Sequence, residues 1–149
     1  MRMEHHVEIG RSKEDLWPWL TETDRMKQWM KGLLEITPVS EGETREGFLA
    51  KMRIKEGRKV SEYDEEITTW DPPNALAVRM TGGALPEGME MKSAYRLEAI
   101  GGRNTKVTCV TTAEVSGLYK LLSPLMRLFA GAQMKSFFRT LKKLAEAEA

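Results

Sequence analysis

The chain has 149 residues, the length of one domain, and at that size it can bury roughly 70% of its unfolded surface. Its 41% apolar and 30% charged residues form an ordinary globular balance, and 23 basic against 22 acidic residues give no electrostatic case for a nucleic-acid partner. One cysteine, Cys109, excludes an internal disulfide and a thiolate zinc cluster and fits a reducing compartment, so a cytoplasmic location is expected. No apolar run reaches the roughly 18 residues of a membrane span, and the first residues have no signal-peptide core. Ten methionines outnumber the phenylalanines and tyrosines together. They are unbranched and suit either a core or a tolerant ligand pocket.

Met3, His5, Val7 and Ile9 alternate with Glu4, His6 and Glu8, the pattern of a half-buried strand. Ser12 followed by Asp15 predicts a helix start, with Leu16, Trp17 and Leu20 as its apolar stripe and Pro18 keeping it short or kinked. Thr21 or Thr23 is expected to cap a second short helix carrying Met26, Trp29 and Met30. From Leu33 to Val115 everything reads as strands and turns, with breaks at Pro38, Gly57, Asp71-Pro72-Pro73-Asn74, the Gly82–Gly88 loop and Gly101-Gly102. After Gly117 the period changes to 3.6. Leu118, Leu121, Leu122, Leu125, Leu128, Phe129, Ala132, Phe137, Leu141 and Leu144 trace a long helix, with Ser123-Pro124 as a fresh start after a lead-in turn. The expected order is strand, two short helices, six strands, long helix, in one domain over residues 1–149. Seven mostly antiparallel strands with one apolar face need a cover, so the sheet should curve round the C-terminal helix, packing Leu125, Phe129 and Ala132 on its concave face.

Several pieces in this order carry a resemblance. They are Val7-Glu8-Ile9 leading to Ser12, Leu16, Trp17 and Leu20, then Trp29; Tyr63, Ile67 and Trp70-Asp71-Pro72-Pro73; Tyr95-Arg96-Leu97; Thr105-Lys106-Val107-Thr108; and Leu141-Lys142-Lys143-Leu144 at the end of the long helix. Together they resemble the SRPBCC superfamily, the START-like helix-grip fold shared with the birch-pollen allergen, in its polyketide cyclase/dehydrase and lipid-transport branch. The resemblance implies an α+β helix-grip fold: a curved seven-stranded antiparallel sheet wrapped round a long C-terminal helix, with two short helices between strands 1 and 2. That branch includes hydrophobic-ligand binders and some cyclases and has no universal catalytic motif, so the resemblance implies a fold more than a reaction.

The sequence contains no G-x-S-x-G elbow, G-x-x-x-x-G-K phosphate loop or H-E-x-x-H helix. His5 and His6 are strand neighbours pointing to opposite faces and cannot chelate one metal together. No metal and no cofactor are expected. Cys109 reads as a buried, inert thiol, and Thr81-Gly82-Gly83-Ala84 as a loop that could rim a cavity mouth.

Glu62, Asp64, Glu65 and Glu66 are the most informative polar group. A two-residue turn at Glu56-Gly57 would pair Lys55 with Arg58, set Phe48 against Glu65, Ala50 against Tyr63 and Lys51 against Glu62, and turn Tyr63, Glu65 and Ile67 inward. One more loop residue would flip the whole row. An inward Glu65 must be partnered, wetted or protonated. It then serves as a tolerated burden, a polar anchor for a ligand, or a general acid/base. The expected pocket comprises Trp29, Phe48, Met52, Tyr63, Met80, Met91, Tyr95, Leu125 and Phe129 with Glu65 as its polar handle, and its occupant would be a small apolar or amphipathic molecule. Two other readings stand beside binding or transport. One is a polyketide cyclase/dehydrase-like enzyme using Glu65 or Tyr63. The other is a protein-interaction module with a self-filled cavity. The cations of the last helix read as a solvated face or as a peripheral contact with an acidic membrane surface.

Overall fold

The structure is a computed structural model that describes residues 1–114 and 119–148, without the side chains of 119 and 121–123. The expected positions of Val115, Gly117 and Leu118, and the side chains of Leu121 and Leu122, lie outside that description. The elements run β1 (Arg2–Ile9), α1 (Lys13–Thr21), α2 (Thr23–Trp29), β2 (Leu33–Pro38), β3 (Leu49–Glu56), β4 (Lys59–Asp71), β5 (Ala75–Gly82), β6 (Glu90–Gly101), β7 (Asn104–Ala113) and α3 (Tyr119–Ala147). The strands form one antiparallel sheet in the order β1-β7-β6-β5-β4-β3-β2, so β1 and β2 are its two edges. The seven strands, the two short helices after the first, and the long last helix are the helix-grip arrangement.

Local chemistry explains most boundaries. Ser12 caps α1, accepting the Asp15 N–H at 3.2 Å. Pro18 lies inside α1, and its carbonyl accepts the Glu22 N–H that closes the helix. Two helical expectations change. The buried stripe of α1 is Leu16, Trp19 and Leu20, while Trp17 lies on the flank with its ring 5.2 Å from that of Trp70. Residues three and four apart share a helix face, which favours Trp19 with Leu16 and Leu20. Neither threonine caps α2. Glu22 holds that position without a side-chain capping bond, and the Thr21 hydroxyl donates back to the Trp17 carbonyl at 2.8 Å.

The β3–β4 hairpin keeps the expected faces but not the expected partners. Its two-residue turn is Gly57-Arg58, so Glu56 pairs with Lys59, Ala50 with Glu65 and Met52 with Tyr63. Gly57, at φ +64°, takes the first central position, which a type II′ turn reserves for glycine. Moving the turn by one residue shifts each pairing by two places, so no side chain changes face. Outside, Lys51 stands across from Asp64 rather than Glu62, bonding Asp64 at 2.9 Å and approaching Glu62 at 3.6 Å. Glu66 is held by Arg79 at 3.1 Å.

The long helix departs most from expectation. It runs unbroken through Pro124 instead of starting there. Its second half supplies the core: Phe138, Leu141 and Ala145 are buried, with Met134, Phe137 and Leu144 beside them. Leu125 and Phe129 are 53% and 68% exposed, and Ala132 is exposed. At 3.6 residues per turn these three fall on the opposite side of the helix from Phe138, Leu141 and Ala145, so they cannot share their contact with the sheet.

Candidate functional site

Two apolar clusters fill the side of the sheet that faces the helices. The larger joins Ile9, Leu16, Trp19, Leu20, Trp29, Leu76, Tyr95, Leu97, Val107 and Cys109 to the buried residues of α3. The second is methionine-rich. Met52, Met80, Leu33 and Tyr63 form it, with Met26, Met30, Met91, Ile36, Ile54 and Leu85 against them. Half of the chain's ten methionines therefore gather beneath β2–β5.

Glu65 lies at the border of the second cluster. Strand alternation turns it to the same face as Tyr63 and Ile67, and its cross-strand neighbours are Ala50 and Met80, the latter paired with Met91. Among the described residues no hydrogen bond or ion pair reaches its carboxyl group. Burial alone pushes its pKa up to about 7, since desolvation disfavours the charged form. Its three acidic neighbours escape this by pointing outward, where Asp64 and Glu66 meet Lys51 and Arg79.

Tyr63 closes one end of the cluster. Its hydroxyl donates to the Glu56 carboxylate at 2.6 Å, and burial with that bond pushes its pKa up to about 12. Gly83, at φ +55°, lies so close to the Tyr63 ring that a Cβ there would fall on the ring atoms. The glycine loop is thus the wall behind this tyrosine. Tyr95 sits across the strand from Cys109, which in turn faces His5. Burial first, then the Cys109 thiol, holds the Tyr95 hydroxyl well above its usual range, and the Glu65 charge adds to this. Burial also raises the Cys109 thiol, whose sulfur is 3.7 Å from the Thr111 hydroxyl. This keeps the thiol protonated and unreactive.

The structure brings together some of the sequence-predicted residues and separates others. Met52, Tyr63 and Met80 are buried in one cluster, Met91 packs against it, and Glu65 adjoins it. Phe48 is buried just before β3, with the Arg45 guanidinium 5.6 Å above its ring. Trp29 and Tyr95 belong to the larger cluster. Trp29 is 2% exposed, donates its indole N–H to the Trp19 carbonyl at 2.8 Å and meets Phe137 and Phe138 edge-on or tilted, so it is packed in the core. Leu125 and Phe129 stand on the outer side of α3, away from this face. The sequence reading missed Met26, Met30 and Leu33 as walls. They lie around the α2–β2 junction, where neither a helical nor a strand period is long enough to assign a face. Among the described residues no group of three or more metal-ligating side chains is assembled.

A sheet that grips one long helix and presents an apolar inner face with a few polar groups defines a helix-grip protein of the START-like, SRPBCC type. A family model described as polyketide cyclase/dehydrase and lipid transport matches residues 1–146, and the chain belongs to that family. Solved structures share the fold at low identity. TTHA0849 from Thermus thermophilus has a TM-score of 0.77 at 16% identity, with 100% of this chain and 99% of that one covered. The Zhui aromatase/cyclase from Streptomyces sp. R1128 has a TM-score of 0.77 at 11% identity, covering 98% and 93%. Norcoclaurine synthase from Thalictrum flavum, in complex with dopamine and hydroxybenzaldehyde, has a TM-score of 0.72 at 19% identity, covering 100% and 88%. No curated protein matches the chain.

Proposed function

We infer that this protein binds a small amphipathic molecule on the inner face of its sheet, with apolar parts against Met52, Met80 and Met91 and a polar end on Glu65. The observation that carries this reading is Glu65 itself, a half-buried carboxyl group across the strand from Met80 with no described protein partner. An unpartnered buried polar group costs stability, and a ligand's donor would offset that cost. The methionines suit an occupant of irregular shape. Family membership and the ligand-bound synthase of the same fold agree with a binding role.

Native mass spectrometry of the freshly purified protein tests the reading first, because a small molecule held through purification appears as a fixed added mass. Glu65→Gln tests the anchor. With a ligand identified in this way, the substitution should weaken binding by roughly 1–3 kcal/mol, the worth of a charged hydrogen bond. Unchanged affinity would remove Glu65 from the site.

A second reading, cyclase-like proton transfer, is favoured by one fact: a carboxyl titrating near 7 can both give and take a proton near neutral pH. Under that reading Glu65→Gln keeps affinity and lowers turnover by about 10²–10⁴.

A further inference from the structure

The first half of α3 leaves a large apolar surface uncovered. Leu125, Leu128 and Phe129 are 53%, 69% and 68% exposed on the side away from Phe138 and Leu141, and Met126 is 37% exposed. Isolated exposed leucines are ordinary, but adjacent ones on one side of a helix with a phenylalanine among them form a patch.

Along α3 the charge has one sign as far as Glu146. Between Glu114 and Glu146 the sequence has no acidic residue, and it carries Lys120, Arg127, Lys135, Arg139, Lys142 and Lys143. Of these six, only Lys142 makes an ion pair among the described residues, with Glu146 at 2.7 Å. Past the apolar patch, on the flank of the helix that carries Leu128, Lys135, Arg139 and Lys142 line a solvent-open groove of about 450 Å³ between α3 and β1, together with His5, His6 and Glu4. Glu4, its one carboxylate among the described residues, is paired with Arg2 at 3.3 Å. Apolar side chains that lead into cations, of which Lys135 and Arg139 have no ion pair among the described residues, are what a lipid surface requires, the former entering the acyl boundary and the latter meeting headgroup phosphates. A second copy of the chain fits poorly, because pairing this side of α3 with itself would set cations against cations.

We propose that the outer side of α3, from Leu125 to Lys142, docks this protein onto an anionic phospholipid bilayer. The apolar tip at Leu125, Leu128 and Phe129 enters the interface, and Lys135 and Arg139 hold headgroup phosphates. This contact is independent of the ligand reading built on Glu65, since it needs nothing on the inner face of the sheet.

Vesicle co-sedimentation without added ligand tests it. Vesicles with about one third phosphatidylglycerol in phosphatidylcholine should bind the protein at least about ten-fold more tightly than phosphatidylcholine alone, and about 0.5 M salt should erase most of that preference. The double variant Leu128→Glu, Phe129→Glu should lose the binding while keeping the wild-type melting temperature, because both positions are already exposed. The double variant Lys135→Glu, Arg139→Glu should lose the preference for anionic lipid. In Leu128→Trp, indole emission should shift to the blue with anionic vesicles. Failure to sediment with either vesicle would overturn the proposal. So would undiminished binding of the Leu128→Glu, Phe129→Glu variant, or a concentration-dependent dimer that those two substitutions disrupt.

Discussion

Glu65 is one residue, but its burial gives the fold a pH response. A glutamate has a pKa near 4.5 when solvated and here is pushed up to about 7. Between those values the folded state binds more protons than the unfolded one, so stability falls as pH rises through that window. Below pH 4.5 both states carry the proton and the penalty vanishes. Above pH 7 it is complete, on the order of 3 kcal/mol. The stability of the wild type relative to Glu65→Gln, read by urea unfolding, should therefore decline from pH 5 to pH 7.5; the lowered pKa of His5 acts with the opposite sign in both proteins and cancels in that difference. An unchanged slope in the variant would mean that other groups produce it. Gly83 has a different constraint at the same end of the sheet. Alanine there meets both a left-handed φ and the Tyr63 ring, so Gly83→Ala should cost more than the roughly 1 kcal/mol of the backbone term alone, read as a lower urea midpoint.

At the scale of elements, α3 divides into halves that should respond oppositely to the same change. Leu141 is wholly buried, so Leu141→Ala should cost about 2–5 kcal/mol. Leu128→Ala should move stability by no more than about 0.5 kcal/mol. Equal losses would place both residues in one packed face. This division also shows what the sequence made legible. The helix itself was plain from its period, but leucines occur on so many sides of it that their spacing did not tell core from surface. Only partners in space do that, namely β1, α1 and α2, which meet its second half. The β3–β4 hairpin is the converse case. Which face Glu65 takes followed from parity, which survives a shift of the turn by one residue. The identity of its neighbours did not follow, because that depends on which turn position Gly57 occupies. Trp29 lies in the larger cluster, apart from the methionine-rich one. A tryptophan ending a short helix reads alike at an opening and in a core, and the Trp19 carbonyl that receives its N–H is ten residues away in the chain.

For the whole molecule, the two clusters imply unequal rigidity. The larger one is clamped by α1, α2 and α3, whereas the methionine-rich one is covered by less, and β2 is an edge strand with a bulge between Leu33 and Glu35. Local opening takes least free energy where few apolar contacts are lost. Amide hydrogen exchange should therefore be slowest in β6 and β7 and markedly faster in β2 and β3. The reverse order would place the rigid part of the sheet beside Glu65.

The first strand is tied to the last elements of the fold. Met3 pairs with Thr111, the Arg11 side chain donates to the Ala145 carbonyl at 2.7 Å, and the Gly10 N–H is received by Glu146 at 2.8 Å. During synthesis β1 emerges before the other elements, yet its strand partner and its helical cover are made after all of them. Until then a strand with one hydrophobic face must wait unpaired, a state open to pairing with other chains. β1 therefore cannot be paired before β7 is made, nor covered before α3 is made.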